Sequence, residues 1–153
     1  MNSSDFITVR PINKGELLAV YQLEQQLFGA HSYPDFFFRQ CYDCWPSGLK
    51  VAVDRQDSLL GYILIAQSEQ ADCAWLLSVA VARSAQGNGV GKRLILDAMA
   101  TVPVSVTSIK LTVAPTNPAR YLYLALGFVE VNLEKDYFGA GEDRLLMVLN
   151  RSI

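Results

Sequence analysis

The segment Gln86-Gly87-Asn88-Gly89-Val90-Gly91 constrains this chain more than any other. Ahead of it, residues 71–82 form an alanine-rich apolar stretch that reads as a strand, built on Trp75, Leu77, Val79 and Val81. Behind it, residues 90–100 set Leu94, Ile95, Ala98 and Met99 on one stripe at helical spacing, with Lys92, Arg93 and Asp97 facing away. A strand that enters a glycine-rich turn and leaves as a helix aims unpaired amide N–H groups and the positive end of the helix dipole at one spot. That spot suits an anion such as phosphate. The same glycines can also do no more than make a tight turn, and the cluster alone does not separate the two readings.

Testing the segment letter by letter removes the common nucleotide motifs. The pattern GxxxxGK[ST] fails because Gln86 stands in place of its first glycine and Arg93 in place of its Ser or Thr. The pattern GxGxxG fails because Lys92 stands where its last glycine belongs, and the strands before the loop look antiparallel rather than part of a βαβ unit.

The rest of the chain supplies the partners of this unit. Residues 6–10 alternate as a first strand, and residues 14–28 carry Leu17, Leu18, Tyr21, Leu23 and Leu27 near helical spacing. Residues 35–44 read as a second helix, and 49–54 and 59–66 as a hairpin around a polar turn. After the glycine loop and its helix comes a strand over 105–114. Asn117, Pro118 and Gly127 then delimit a short helix at 119–126 as N-cap, first helical position and C-terminal stop. Strands at 128–133 and 144–149 close the chain. This order predicts a mixed α/β or α+β fold with a mostly antiparallel, seven-stranded sheet and about four helices. With 153 residues, 51% hydrophobic and 18% charged, one compact domain over 1–153 is the expectation.

Bulk properties narrow the function. No apolar run approaches the roughly 18 residues of a membrane span. Residues 1–5 show neither a basic nor an apolar leader segment, so a cytoplasmic location is expected. A net charge of −2 without a basic stripe argues against nucleic acid as a partner. Three cysteines do not make a disulfide framework. Cys41 and Cys44 form a CxxC pair, but with only Cys73 and His31 to add to it, two structural thiols and no metal are expected.

Two blocks carry a resemblance. Gln86, Gly89 and Gly91 fit, in register, the [QR]xxGx[GA] pyrophosphate loop of the GNAT N-acetyltransferases. The run from Asn117 through Leu122-Tyr123 to Gly127-Phe128 is similar to their N-x-x-A-x-x-LY-x-x-x-GF segment, with the alanine placed differently. The chain most resembles the ribosomal-protein N-terminal alanine acetyltransferases and related N-terminal acetyltransferases. The resemblance implies acetyl-coenzyme A as donor, with Gln86, Gly87, Asn88, Gly89, Val90, Gly91 and Lys92 at the pyrophosphate and Asn117 beside the cofactor. It also implies that the backbone of Val79 and Val81 pairs with the pantetheine arm, in a sheet splayed at the cofactor.

Amine acetylation needs a neutral amine, stabilisation of an oxyanion and a proton for the departing thiolate. The resemblance gives the last role to Tyr123, a phenol that keeps its proton at neutral pH; the alternative is an aromatic packed on the helix's inner side. Tyr137, in a loop similar to the family's paired-tyrosine loop, is implied as a substrate contact. Phe28, His31 and Tyr33 lie where the family shapes its acceptor pocket. The departure is Thr112: relatives commonly carry a glutamate there, and a threonine hydroxyl is too weakly basic to replace it. Glu69, Asp72 and Tyr137 are left as relays. The implied acceptor is the N-terminus of a peptide or protein, with a small amine (amino acid, polyamine or aminoglycoside) as the second reading and a non-catalytic acyl-CoA-binding module as the third. A monomer or homodimer is expected.

Overall fold

The computed structural model describes residues 6–151. The segment read for a leader, residues 1–5, lies outside them. Seven strands, β1 (Thr8–Pro11), β2 (Leu49–Val53), β3 (Leu59–Gln67), β4 (Cys73–Val81), β5 (Ser108–Val113), β6 (Val129–Glu134) and β7 (Arg144–Asn150), make one sheet of order β1-β2-β3-β4-β5-β7-β6. Four α-helices accompany them: α1 (Leu17–Phe28), α2 (Asp35–Cys44), α3 (Val90–Thr101) and α4 (Ala119–Ala125). The sheet is largely antiparallel, with β4 and β5 parallel, so the expected mixed α/β class holds. The chain divides into two compact units, one running to Ile65 and resuming over Ser78–Thr101, the other made of Ala66–Leu77 and everything from Val102 on; β4 gives residues to both.

In the first unit, β2 is buried at every position and β3 from Gly61 to Ile65. Strands buried on both faces need continuous apolar runs rather than alternation, which is how LKVAV and GYILI read. The exception is Lys50, 7% exposed, whose ammonium donates to Asp97 Oδ2 at 2.7 Å and to Thr101 Oγ1 at 3.1 Å. Asp97 therefore does not face away from the core side as the helical stripe suggested: it holds a buried cation that would otherwise pay a desolvation cost. Gly61 lies where β3 and β4 approach closely, since a Cβ there would stand 2.6 Å from Ala80 O. On α1 the inward positions are Val20, Leu23 and Glu24, while Leu18 is 64% exposed.

In the second unit, β5 alternates cleanly: Ile109, Leu111 and Val113 are buried, and Ser108, Lys110 and Thr112 are half-buried on the other face. The strand starts at Ser108 rather than 105 because Val106 N turns back to Pro103 O, and Thr107 N and Ser108 N both donate to Asp72 O. Ladder register puts Thr112 opposite Leu146 and Lys110 opposite Val148. The β4–β5 ladder comprises three pairs, from Cys73↔Ser108 to Trp75↔Lys110. Pro118 takes the N-cap position of α4 rather than the first helical one, and Asn117, one residue further out, caps the helix by accepting the Ala119 amide on Oδ1 at 2.9 Å.

The three cysteines are free thiols: Cys41 and Cys73 are buried and Cys44 is exposed. The CxxC pair thus splits between inside and outside. Among the described residues no group of three metal-ligating side chains occurs, and no helix is long and apolar enough to cross a membrane.

Candidate functional site

The site residues of the first unit begin with the loop. Gly87 and Gly89 have φ of 83° and 78°, backbone that L side chains rarely adopt, and no atom lies within 4 Å of where their Cβ would be. These positions are glycine because of chain conformation rather than crowding. Gln86 folds its side chain back, Nε2 donating to Val81 O at 3.1 Å, and so ties the loop to the end of β4. Asn88 does the same through Nδ2 to Ala85 O at 3.1 Å. Arg93 N donates to Gly89 O at 3.0 Å, which ties the first turn of α3 to the loop. Gly89, Lys92, Arg93, Leu96 and Asp97 line an adjoining cavity of about 470 Å³ with two cations on its wall. Gln86, Gly87, Asn88 and Gly89 are exposed, Gly91 half-buried, and Val90 packs into the core and anchors the turn.

A second cluster in this unit was not legible in the sequence. Glu24, 2% exposed, accepts the Tyr33 amide on Oε2 at 2.9 Å and the Tyr62 hydroxyl on Oε1. The Tyr62 and Ser78 hydroxyls bond each other at 2.7 Å. With the Tyr62 proton committed to Glu24, Ser78 is the donor in that pair. Burial raises the Glu24 carboxyl above the usual range, and the bonds from Tyr62, Tyr33 and Ser78 oppose that rise. Burial first, and then the Glu24 charge, push the Tyr62 phenol well up. Aromatic rings close the cluster: Tyr33 stacks on Phe37 at 4.3 Å, and Phe38 meets Tyr62 edge-on at 5.5 Å. Glu24 therefore fixes Tyr33, one of the expected acceptor-side residues, by its main chain. Phe28 is half-buried at the end of α1, and His31 is exposed on the turn that follows. Of the Phe36-Phe37-Phe38 run, Phe38 is fully buried and Phe36 is 63% exposed.

In the second unit, Tyr123 on α4 is 6% exposed, its ring edge-on to Phe128 at 5.9 Å. Its hydroxyl has no hydrogen-bond partner among the described residues. Burial pushes the phenol up to about 12, and the Arg144 guanidinium pulls the other way. Arg144 also takes hold of Thr112: Nε donates to Thr112 Oγ1 at 3.2 Å and Nη2 to Thr112 O at 2.9 Å. Thr112 is thus a hydrogen-bond acceptor for a cation. Tyr137 is 39% exposed and lies edge-on to Phe138 at 4.7 Å, with Arg144 5.2 Å from the Phe138 ring. Glu69 and Asp72 fall in the exposed turn between β3 and β4.

Residues 17–128, which hold the loop, the Glu24 cluster and α4, match the model of the Acetyltransferase (GNAT) family. The chain belongs to that family. As a GNAT acetyltransferase it is a transferase, and solved structures share its fold across nearly the whole chain. Ard1 from Thermoplasma volcanium is 20% identical with a TM-score of 0.86, covering 96% of this chain and 99% of its own. The ribosomal-protein-S18-alanine N-acetyltransferase from Escherichia coli is 22% identical, with a TM-score of 0.79 and coverage of 96% and 95%. Diaminobutyrate acetyltransferase from Paenibacillus lautus, solved with L-2,4-diaminobutyric acid and coenzyme A, is 19% identical, with a TM-score of 0.83 and coverage of 94% of both chains. No curated protein matches the sequence significantly. The structural neighbours include enzymes acting on protein N-termini and on small amines, so the fold is common to both acceptor classes.

Proposed function

We propose that this GNAT acetyltransferase moves the acetyl group of acetyl-coenzyme A onto the N-terminal amine of a peptide or protein. The observation that carries the donor half is the loop from Gln86 to Gly91. Positive-φ glycines and side chains folded back onto Val81 and Ala85, at the start of α3 where a helix dipole favours negative charge, leave a main-chain surface suited to a pyrophosphate. Lys92, on the wall of the adjoining cavity, adds positive charge. The three-pair length of the β4–β5 ladder supports pairing of the pantetheine arm with the backbone of Val79 and Val81. Asn117 holds the start of α4 and with it the placement of Tyr123.

In the transfer, the neutral amine nitrogen bonds to the thioester carbon, the nitrogen sheds one proton to water, the C–S bond breaks and the thiolate takes a proton. Tyr123 supplies that proton: its phenol is fully protonated at neutral pH, and its hydroxyl has no hydrogen-bond partner among the described residues to give up first. Two aromatic segments support the peptide acceptor. Tyr33, pinned through its amide by Glu24, and Tyr137, exposed between β6 and β7, sit in irregular backbone that can meet an extended main chain. Phe28 and His31 flank Tyr33. The replacement of a carboxylate by Thr112 favours the second reading, a small amine. A thiol-release assay over N-terminal peptides and small amines tests the choice: release with peptides is expected, and release with small amines alone overturns the peptide acceptor.

A further inference from the structure

The attacking nitrogen sheds a proton during acetyl transfer, and a threonine hydroxyl at position 112 is too weakly basic to take it. The first unit holds a buried carboxylate with no part in the chemistry so far. Glu24 accepts on both oxygens, the Tyr33 amide on Oε2 at 2.9 Å and the Tyr62 hydroxyl on Oε1, the acceptor-only pattern of an ionised carboxylate. Tyr62 Oη lies 2.7 Å from Ser78 Oγ, and with the Tyr62 proton committed to Glu24 it is Ser78 that donates. The donations therefore run one way, from Ser78 through Tyr62 to Glu24. At the outer end Ser78 has spent its proton and keeps lone pairs that can accept another. Ser78 is half-buried, whereas Tyr62 is fully buried and Glu24 is 2% exposed, so the line leads from the surface inward. Ser78 stands on β4 next to Val79, whose backbone the acetyl-transfer reading sets along the pantetheine arm. Through the Tyr33 amide the same carboxylate also holds the segment expected on the acceptor side.

Resting on the acetyl-transfer reading above, we infer that Ser78, Tyr62 and Glu24 form a proton relay that takes the proton from the acceptor nitrogen. As the nitrogen bonds to the thioester carbon, one N–H bond breaks and its proton joins Ser78 Oγ, while the electron pair stays on nitrogen. Ser78 passes its own proton to Tyr62 Oη, and Tyr62 passes its own to Glu24 Oε1. Each hydroxyl gives one proton and gains one, and the carboxylate becomes a neutral acid. The proton taken by the thiolate is a separate one. Once the product has left, the hops reverse and Ser78 hands the proton to water, which restores the starting charge. Burial suits both inner members to these roles. It lifts the Glu24 carboxyl above the usual range, which makes it a stronger base than a surface carboxylate, and it pushes the Tyr62 phenol well up, which keeps Tyr62 neutral so that its two hops occur together. Glu24 and Tyr62 act through Ser78, which alone of the three meets the reacting nitrogen.

The experiment mixes acetyl-CoA-loaded enzyme with the peptide that gives the fastest thiol release in the panel above, or with the fastest small amine where no peptide reacts, and reads the single-turnover rate, which product release does not mask. Ser78→Ala leaves the bond from Tyr62 to Glu24 in place and should slow that turnover about a hundredfold with acetyl-CoA affinity unchanged; Ser78→Thr, which restores a hydroxyl, should recover most of the loss. Glu24→Gln cannot take the proton and should lose as much. The double variant should lose no more than either single one, because a relay already interrupted is not interrupted again. Denaturant unfolding of each variant ties the rate to folded protein, and Tyr62→Phe, which cuts the line in the middle, replaces Glu24→Gln should that variant not fold. A wild-type rate in Ser78→Ala overturns the relay, as do losses that multiply in the double variant. A loss confined to Glu24→Gln overturns it as well and assigns Glu24 to holding Tyr33. All of these outcomes leave acetyl transfer standing. Thiol release by the wild type with no acceptor of the panel, while acetyl-CoA binds, overturns acetyl transfer and the relay together.

Discussion

The glycine loop and the Glu24 cluster, both in the first unit, are built on opposite principles. From Gln86 to Gly91 the chain displays: the loop is exposed, side chains fold back, and two glycines hold backbone that other residues resist. Around Glu24 the chain satisfies: a carboxylate, two hydroxyls and an amide that would be costly to bury alone are closed upon one another. Change in the first kind of region should therefore be felt in ligand binding and rate, and change in the second kind in folding.

Tyr123 tests the contrast most severely, because its ring is buried like the cluster while its hydroxyl has no hydrogen-bond partner among the described residues. Tyr123→Phe should cut turnover by about ten- to a thousandfold and leave acetyl-CoA affinity and thermal stability nearly unchanged. A variant that melts early but turns over normally would move Tyr123 to the packing side of the comparison. Glu24→Ala comes next. It removes the acceptor of the Tyr33 amide and leaves the Tyr62 hydroxyl with Ser78 alone, and should cost about 1–3 kcal/mol in denaturant unfolding; a loss well under 1 kcal/mol would show that the cluster is not satisfying buried groups.

Gly89→Ala sharpens the loop's half. Its Cβ has space, so the penalty is that of the backbone at φ 78°, about 1 kcal/mol. The larger readout should be weaker acetyl-CoA binding by titration, by about tenfold if the loop relaxes away from its anion-facing shape. The smallest effect is a pH signature. Burial raises the Glu24 carboxyl in the folded state, so the unfolded chain ionises first as pH climbs from its ordinary value near 4.5. Stability is thus full below that value and declines until the folded-state carboxyl has also ionised. Glu24→Gln should flatten that decline in melting temperatures measured from pH 4 to pH 8, and an unchanged slope would assign it to other groups.

The same contrast explains what sequence reasoning reached. The loop, the limits of α2 and α3, the β2–β3 hairpin and the cap at Asn117 depend on residues adjacent in sequence, and local conformational rules find them. Glu24 was invisible because its partners come from three other places, Tyr33, Tyr62 and Ser78, and an acidic residue on a helix ordinarily faces water. The one available signal was its place on α1, one step from Leu23 and four from Val20. Arg144 was read only as part of the closing segment, because its grip on Thr112 needs the β5–β7 register. Thr112 stands out in the sequence by comparison with the family's motif, while the guanidinium that donates to it is visible only in the structure.

The division of the CxxC pair has a practical use. Cys41 lies inward with its thiol pushed up to about 11 by burial, Cys73 is also buried, and Cys44 is exposed at the end of the helix that carries Phe37 and Phe38. Thiolate, not thiol, reacts with a maleimide. The native chain therefore offers one addressable position without mutagenesis, where a fluorophore would sit on the helix whose Phe37 stacks on Tyr33 and could follow the arrival of an acceptor in real time.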